Sequence, residues 1–72
     1  MRWKNVEQLQ GNTEQATTLS HLYVLFFDSV EKMFKVIYIK HSTGEVGHKL
    51  WSTKEQAKEW VENVHAPAQE QQ

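Results

Sequence analysis

Four histidines, His21, His41, His48 and His65, are the residues of this chain best suited to chemistry, since imidazole titrates near neutrality and is the commonest metal ligand. A metal site would need a third donor close to two of them. His41 and His48 fall on one face of a hairpin as a diagonal cross-strand pair, roughly 7 to 8 Å apart at the backbone, with no third ligand evident nearby. They read as hairpin histidines at a solvated edge, so neither a metal nor a cofactor is expected. The other catalytic constellations are equally hard to assemble. No cysteine is present, Asp28 is the only aspartate, and Gly11, Gly44 and Gly47 are too dispersed for a phosphate-cradling loop. Glu55, Glu59 and Glu62 lie mostly off the apolar stripe of a helix and suit a solvated helix face. The expectation is a protein that is not an enzyme.

A second constellation points to binding. Tyr23, Phe34, Tyr38 and Trp51 offer large rigid rings, two of the types with polar tips, and Lys40 and Lys49 lie close to them in sequence. Tyrosine and tryptophan are enriched at interfaces, and rings interleaved with lysines can also stack on bases and meet phosphates. Whether the six residues share a surface depends on the elements that carry them.

His21 to Asp28 (HLYVLFFD) and Met33 to His41 (MFKVIYIKH) are rich in β-branched and aromatic residues and bounded by polar, turn-like sequence, the pattern of two strands. Ser29 to Lys32 is short enough for a hairpin, and Ser42 to Glu45 makes a second, with Gly44 able to take a positive φ. The third strand then runs roughly from Val46 to Trp51. Ser52-Thr53-Lys54-Glu55 is a capping box, with Thr53 and Gln56 as an alternative register for the same cap. Ala57, Trp60, Val61 and Val64 follow at i, i+3, i+4, i+7 spacing on one helix face. Ala66-Pro67 is expected to end the helix.

The fold expected is α+β: a small three-stranded antiparallel sheet of two hairpins, packed by a C-terminal helix. It occupies residues 21–66. Residues 1–20 are an N-terminal segment and linker in which Trp3, Val6 and Leu9 could form a short helix stopped at Gly11, or else an irregular arm. Residues 67–72 have nothing to bury and are expected to be a disordered tail.

A four-residue first turn pairs Asp28 with Met33, which sets Phe27 opposite Phe34, Leu25 opposite Val36 and Tyr23 opposite Tyr38. The second turn, over residues 42–45, pairs His41 with Val46 and sets Tyr38 beside Lys49 and Val36 beside Trp51. One face then collects Leu22, Val24, Phe26, Ile37, Ile39, Val46 and Leu50, with Lys35, His41 and His48 among them or toward the edges. The other collects Tyr23, Leu25, Phe27, Phe34, Val36, Tyr38 and Trp51, with His21, Lys40 and Lys49. The aliphatic face best matches the helix stripe, so the helix is expected there. That leaves the aromatic face to the N-terminal segment, a second copy of the chain or a partner.

Eight basic and nine acidic residues give a net charge of -1, which argues against a general nucleic-acid binder of the strongly basic kind. Between Lys32 and Lys49 there are nonetheless four lysines and one acid. A polar N-terminus and the lack of any long apolar run suggest a cytoplasmic protein without membrane attachment. A chain this short buries only about 60% of the surface its unfolded form exposes, so a partner could supplement the core.

Residues Leu50 to Trp60 (LWSTKEQAKEW) resemble the last strand and helix of the arm-type DNA-binding domains at the N-terminus of phage-type tyrosine recombinases. With the two preceding strands the resemblance spans about His21 to Val64. It implies a three-stranded sheet that enters the DNA major groove, with Lys35, Lys40 and Lys49 as candidate contacts. The order of elements is also similar to double-stranded RNA-binding domains, whose basic helix start is not reproduced here: Glu55 follows Lys54 and Glu59 follows Lys58. Two functions are therefore expected to compete. The first is a small non-enzymatic interaction module of adaptor or inhibitor type, binding a protein or its own copy through Tyr23, Phe34, Tyr38, Lys40, Lys49 and Trp51. The alternative is nucleic-acid binding by the same face.

Overall fold

The computed structural model describes residues 1–6 and 13–70. The chain is α+β, and its antiparallel sheet has five strands rather than three. These are β1 (Lys4–Asn5), β2 (Glu14–Thr17), β3 (His21–Asp28), β4 (Met33–Lys40) and β5 (Val46–Trp51), laid side by side in chain order. The sheet leads into α1 (Lys54–Trp60), a wide π turn (Val61–His65) and α2 (Ala66–Glu70).

The two additional strands replace the expected N-terminal helix and linker. β1 pairs Lys4 with Gln15, and β2 pairs Ala16 with Tyr23 and Thr17 with Leu22. Glu14-Gln15-Ala16-Thr17 has no apolar alternation to announce a strand, and Ala16 is its single buried residue. Its place is secured instead by backbone ladders on both sides, which are indifferent to side-chain type. Leu9 and Gly11 lie outside the described residues.

The first hairpin has the expected register, from Asp28 opposite Met33 to His21 opposite Lys40. Its turn is built by Asp28, whose Oδ1 accepts from the amides of Val30 (2.9 Å) and Glu31 (3.1 Å). Lys32 closes it in the left-handed region at φ 58°. In the second hairpin the turn sits one residue earlier than expected: the amide of Lys40 donates to the carbonyl of Glu45 (2.9 Å), and Gly44 takes the positive φ, at 76°. The pairing consequently shifts by two residues, to Tyr38 opposite Gly47, Val36 opposite Lys49 and Phe34 opposite Trp51. A Cβ at position 47 would lie 2.5 Å from Tyr38 Cζ, so only the glycine accommodates that ring. Because the shift is even, every residue keeps its face.

The helix, however, covers the opposite face to the one expected. Tyr23, Leu25 and Val36 of the sheet are fully buried with Ala57, Val61 and Ala66 of the helical segment, and Trp3, Phe34, Tyr38, Trp51 and Trp60 pack around them. The reason is complementary volume. Ala57 and Ala66 leave room on the helical segment, and the large rings, each burying about 150 to 250 Å², fill the layer better than aliphatic side chains could. From the described part of the N-terminal segment, Trp3 packs against this layer.

Thr53 rather than Ser52 is the N-cap, its Oγ1 accepting from the amide of Gln56 at 3.1 Å. The helical path does not stop at Pro67. The amide of Ala66 reaches back five residues to the carbonyl of Val61, and this wide turn precedes Pro67, whose ring has no N–H to donate. The extra residue turns Val64 outward, to 56% exposure, and brings Ala66 inward. Residues 66–70 are helical instead of forming a tail, while residues 71 and 72 lie outside the described part.

Candidate interaction surface

With the helix on the aromatic side, the opposite face of the sheet carries no other described element. By register it presents Leu22, Val24 and Phe26 from β3, Ile37 and Ile39 from β4, and Val46 and Leu50 from β5. Leu22, Ile39 and Val46 form one cross-strand row, and Val24 with Ile37 forms the next. Most of these side chains are half-buried, and Val46 is 66% exposed. The apolar centre has a polar margin: Lys4, Gln15 and Thr17 share the face along β1 and β2, and His48 along β5.

One ion pair sits at the end of this surface. Lys35 Nζ lies 2.9 Å from Asp28 Oδ2, a diagonal pair between β3 and β4. The Lys35 ammonium, followed by the backbone amides of Glu31 and Val30, holds the Asp28 carboxyl below its ordinary value. The charge of Lys35 is thus neutralised within the chain.

The six residues expected to bind are brought together, but against the helical segment. Tyr23 is fully buried, and Phe34, Tyr38 and Trp51 are half-buried beside it. Tyr38 and Trp51 each lie 5.8 Å from the Trp60 ring, centroid to centroid. Lys40 is half-buried opposite His21. Lys49 is exposed, yet its ammonium rests 5.0 Å from the Trp51 ring centroid and 5.1 Å from that of Trp60, within cation–π range of both. The two indoles also wall a shallow cleft of about 290 Å³ with Gln56, Glu59, Asn63 and Val64.

Two polar groupings escaped the sequence reading. His21 and His65 meet edge to face at 5.0 Å, and the Tyr23 hydroxyl is hydrogen-bonded to His65 Nδ1 at 2.8 Å. Burial, and then the charges of Lys40 and His41, push the His21 pKa down; burial, and then His21, do the same to His65. Both rings therefore favour the neutral form at neutral pH. The two histidines lie at the start of β3 and the end of the wide turn, 44 residues apart, and the packing of the helical segment on the sheet brings them together. The second grouping is Glu14 on β2, held by Lys54 and Lys58 of α1 at 2.9 Å each. Burial, the largest single influence, raises its pKa, but the hydrogen bonds and charges of the two lysines together outweigh it and lower the value.

His41 and His48 are not joined as a metal pair. His41 Nε2 lies 3.1 Å from Thr17 Oγ1, and among the described residues no group of three metal-ligating side chains converges. No described helix is long and apolar enough to cross a membrane. No family model matches the chain, and neither a curated protein nor a solved structure does.

Proposed function

We propose that the chain is a small non-enzymatic protein-interaction module, of adaptor or inhibitor type, that binds through the sheet face its helix leaves uncovered. The observation behind the reading is the aliphatic patch of Leu22, Val24, Phe26, Ile37, Ile39, Val46 and Leu50 with no other described element across it. Contiguous apolar surface of that kind marks interaction sites, whereas scattered single apolar residues do not. The proposal moves the contact surface from the aromatic side to the aliphatic side, because the rings of Tyr23, Phe34, Tyr38 and Trp51 are engaged by the helical segment. Lys49, still exposed, borders the helix side rather than the patch.

A nucleic-acid surface would call for unpaired cations across the open face. Of the two lysines on it, Lys35 is committed to Asp28 at the end of the face and Lys4 lies on the edge strand β1, while its centre is apolar. The test is capture from native lysate by the wild-type chain and by Ile37→Glu, with and without nuclease, over a range of salt. The module reading expects capture that survives nuclease, changes little with salt and is lost in Ile37→Glu. Capture that disappears with nuclease and falls steeply with salt would replace it by nucleic-acid binding.

A further inference from the structure

We infer that the open face is covered by a second copy of this chain, the two sheets stacking face to face; the inference rests on the interaction-module reading above and names its partner. Three features favour an identical chain over a foreign one.

The first is charge. A face built for a charged partner would display an uncompensated charge near its centre, but the centre holds the aliphatic pairs Val24–Ile37 and Leu22–Ile39, and Lys35, toward one end, is neutralised by Asp28 at 2.9 Å. A sheet face with an apolar, uncharged centre is complementary to another of the same kind. Two such faces pack about 10 Å apart with strands crossing at roughly 30°. Lys4 and His48, which share the face, lie on the edge strands β1 and β5, at the rim of such a stack.

The second is area. At about 4.8 Å between strands and about 3.4 Å per residue, the four longer strands present roughly 400 Å² in projection, and corrugation by side chains makes the accessible area larger. With that corrugation the face approaches the lower end of specific interfaces, about 600 Å² of accessible surface per partner. A peptide laid on the same face would leave much of it wet.

The third is the size of the core. The buried hydrophobic residues among those described are Tyr23, Leu25, Val36, Val61 and three alanines, Ala16, Ala57 and Ala66. For so short a chain this is a thin layer, and oligomerisation is one of the few ways to thicken it without disulfides or metal. The chain thus builds two apolar layers and fills one. A two-fold stack would fill the other with Leu22, Val24, Phe26, Ile37 and Ile39 from both copies.

The experiment is sedimentation equilibrium of the full chain from micromolar to millimolar concentration, alongside Ile37→Glu and the near-isosteric Val24→Thr. The wild type is expected at twice the 8.5 kDa chain mass. Ile37→Glu, which sets two carboxylates in one apolar interface, should weaken the dimer by about 100-fold or more. Val24→Thr, which keeps shape while burying hydroxyls, should keep the fold and weaken it about tenfold. If Ile37→Glu fails to fold, the Val24→Thr shift decides, together with a wild-type unfolding midpoint that rises with protein concentration. A wild type that stays monomeric to about 1 mM, well above the dissociation constants of specific dimers, overturns the inference; so does a dimer indifferent to both substitutions. A monomer that still captures a different protein in an Ile37-dependent manner overturns the second-copy inference and leaves the module reading standing. A monomer that captures nothing overturns both.

Discussion

The Tyr23 hydroxyl and the His65 ring, 42 residues apart in sequence, meet at 2.8 Å between the central strand β3 and the wide turn of the helical segment. This contact ties the helical segment to β3. Tyr23→Phe keeps the ring and removes only the hydroxyl. The expected loss is about 1 to 3 kcal/mol, because a net hydrogen bond disappears and a half-buried imidazole nitrogen is left without its partner. Urea denaturation checks this; an unchanged midpoint would show that the contact contributes nothing.

Stability should fall on mild acidification. The pKa values of His21 and His65 are both lowered in the fold from the ordinary 6.5. As pH drops through 6.5 the unfolded chain takes up protons that the folded chain refuses, so stability is complete above that pH and declines toward the lower folded-state values. Glu14 and Asp28, lowered by their lysine partners, add a second decline at more acidic pH, as the solution falls below the ordinary carboxyl values of 4.5 and 3.8 toward their folded-state values. Unfolding midpoints measured against pH should show the first decline reduced in His65→Gln. An identical profile in that variant would rule out the assignment.

Gly47→Ala should destabilise the chain by about 1 to 3 kcal/mol, the usual scale of overpacking. The added methyl would sit 2.5 Å from Tyr38 Cζ, and the ring has little room to retreat because Trp60 and His65 lie against it at 5.8 and 4.5 Å. Combining Gly47→Ala with Tyr38→Ala should cost much less than the sum of the two changes. Strict additivity in thermal denaturation would contradict the proposed clash.

Glu14→Gln should cost up to about 1 kcal/mol at low salt and less as ionic strength rises, since the lysine partners are partly exposed and screened. The two ion pairs, at 2.9 Å to Lys54 and to Lys58, join β2 to α1 and orient the first turns of the helix over the sheet. Denaturation with and without added salt separates this electrostatic share from any change in packing. A salt-independent loss would point to packing instead.

Much of the fold could be read from the sequence where side-chain pattern and backbone structure coincide. β3 and β4 are dense runs of β-branched and aromatic residues, and the Asp28 turn sets their register by a count of four residues, so the two faces of the sheet follow directly. β2 could not be read, because a strand such as Glu14 to Thr17, held by ladders on both sides, needs only one inward residue. The side chosen by the helix was equally hidden. Periodicity places Trp60 and Val61 on one helix face, but not that Ala57, with Ala66 brought inward by the wide turn, would leave space for Tyr23 and Tyr38. The site inherits that reversal: the rings of Tyr38 and Trp51 were rightly grouped, and their side of the sheet was rightly separated from the Leu22 and Ile37 side, but which of the two stays open depends on volumes that no spacing rule expresses.

The wide turn and Pro67 form a compensating pair. Val61 to His65 hold one residue more than an α-helical path requires, and that surplus opens the ladder just ahead of the one residue that could not have continued it. Excising the exposed Val64 would place the histidine and alanine three and four positions after Val61, the inward spacing of a plain helix, while thrusting the proline ring against a carbonyl one turn earlier. Replacing Pro67 alone would leave the surplus residue with no obstacle to skirt. The segment therefore has two self-consistent lengths, with both irregularities or with neither, and a lineage moving from one to the other would have to pass through a less stable sequence on the way.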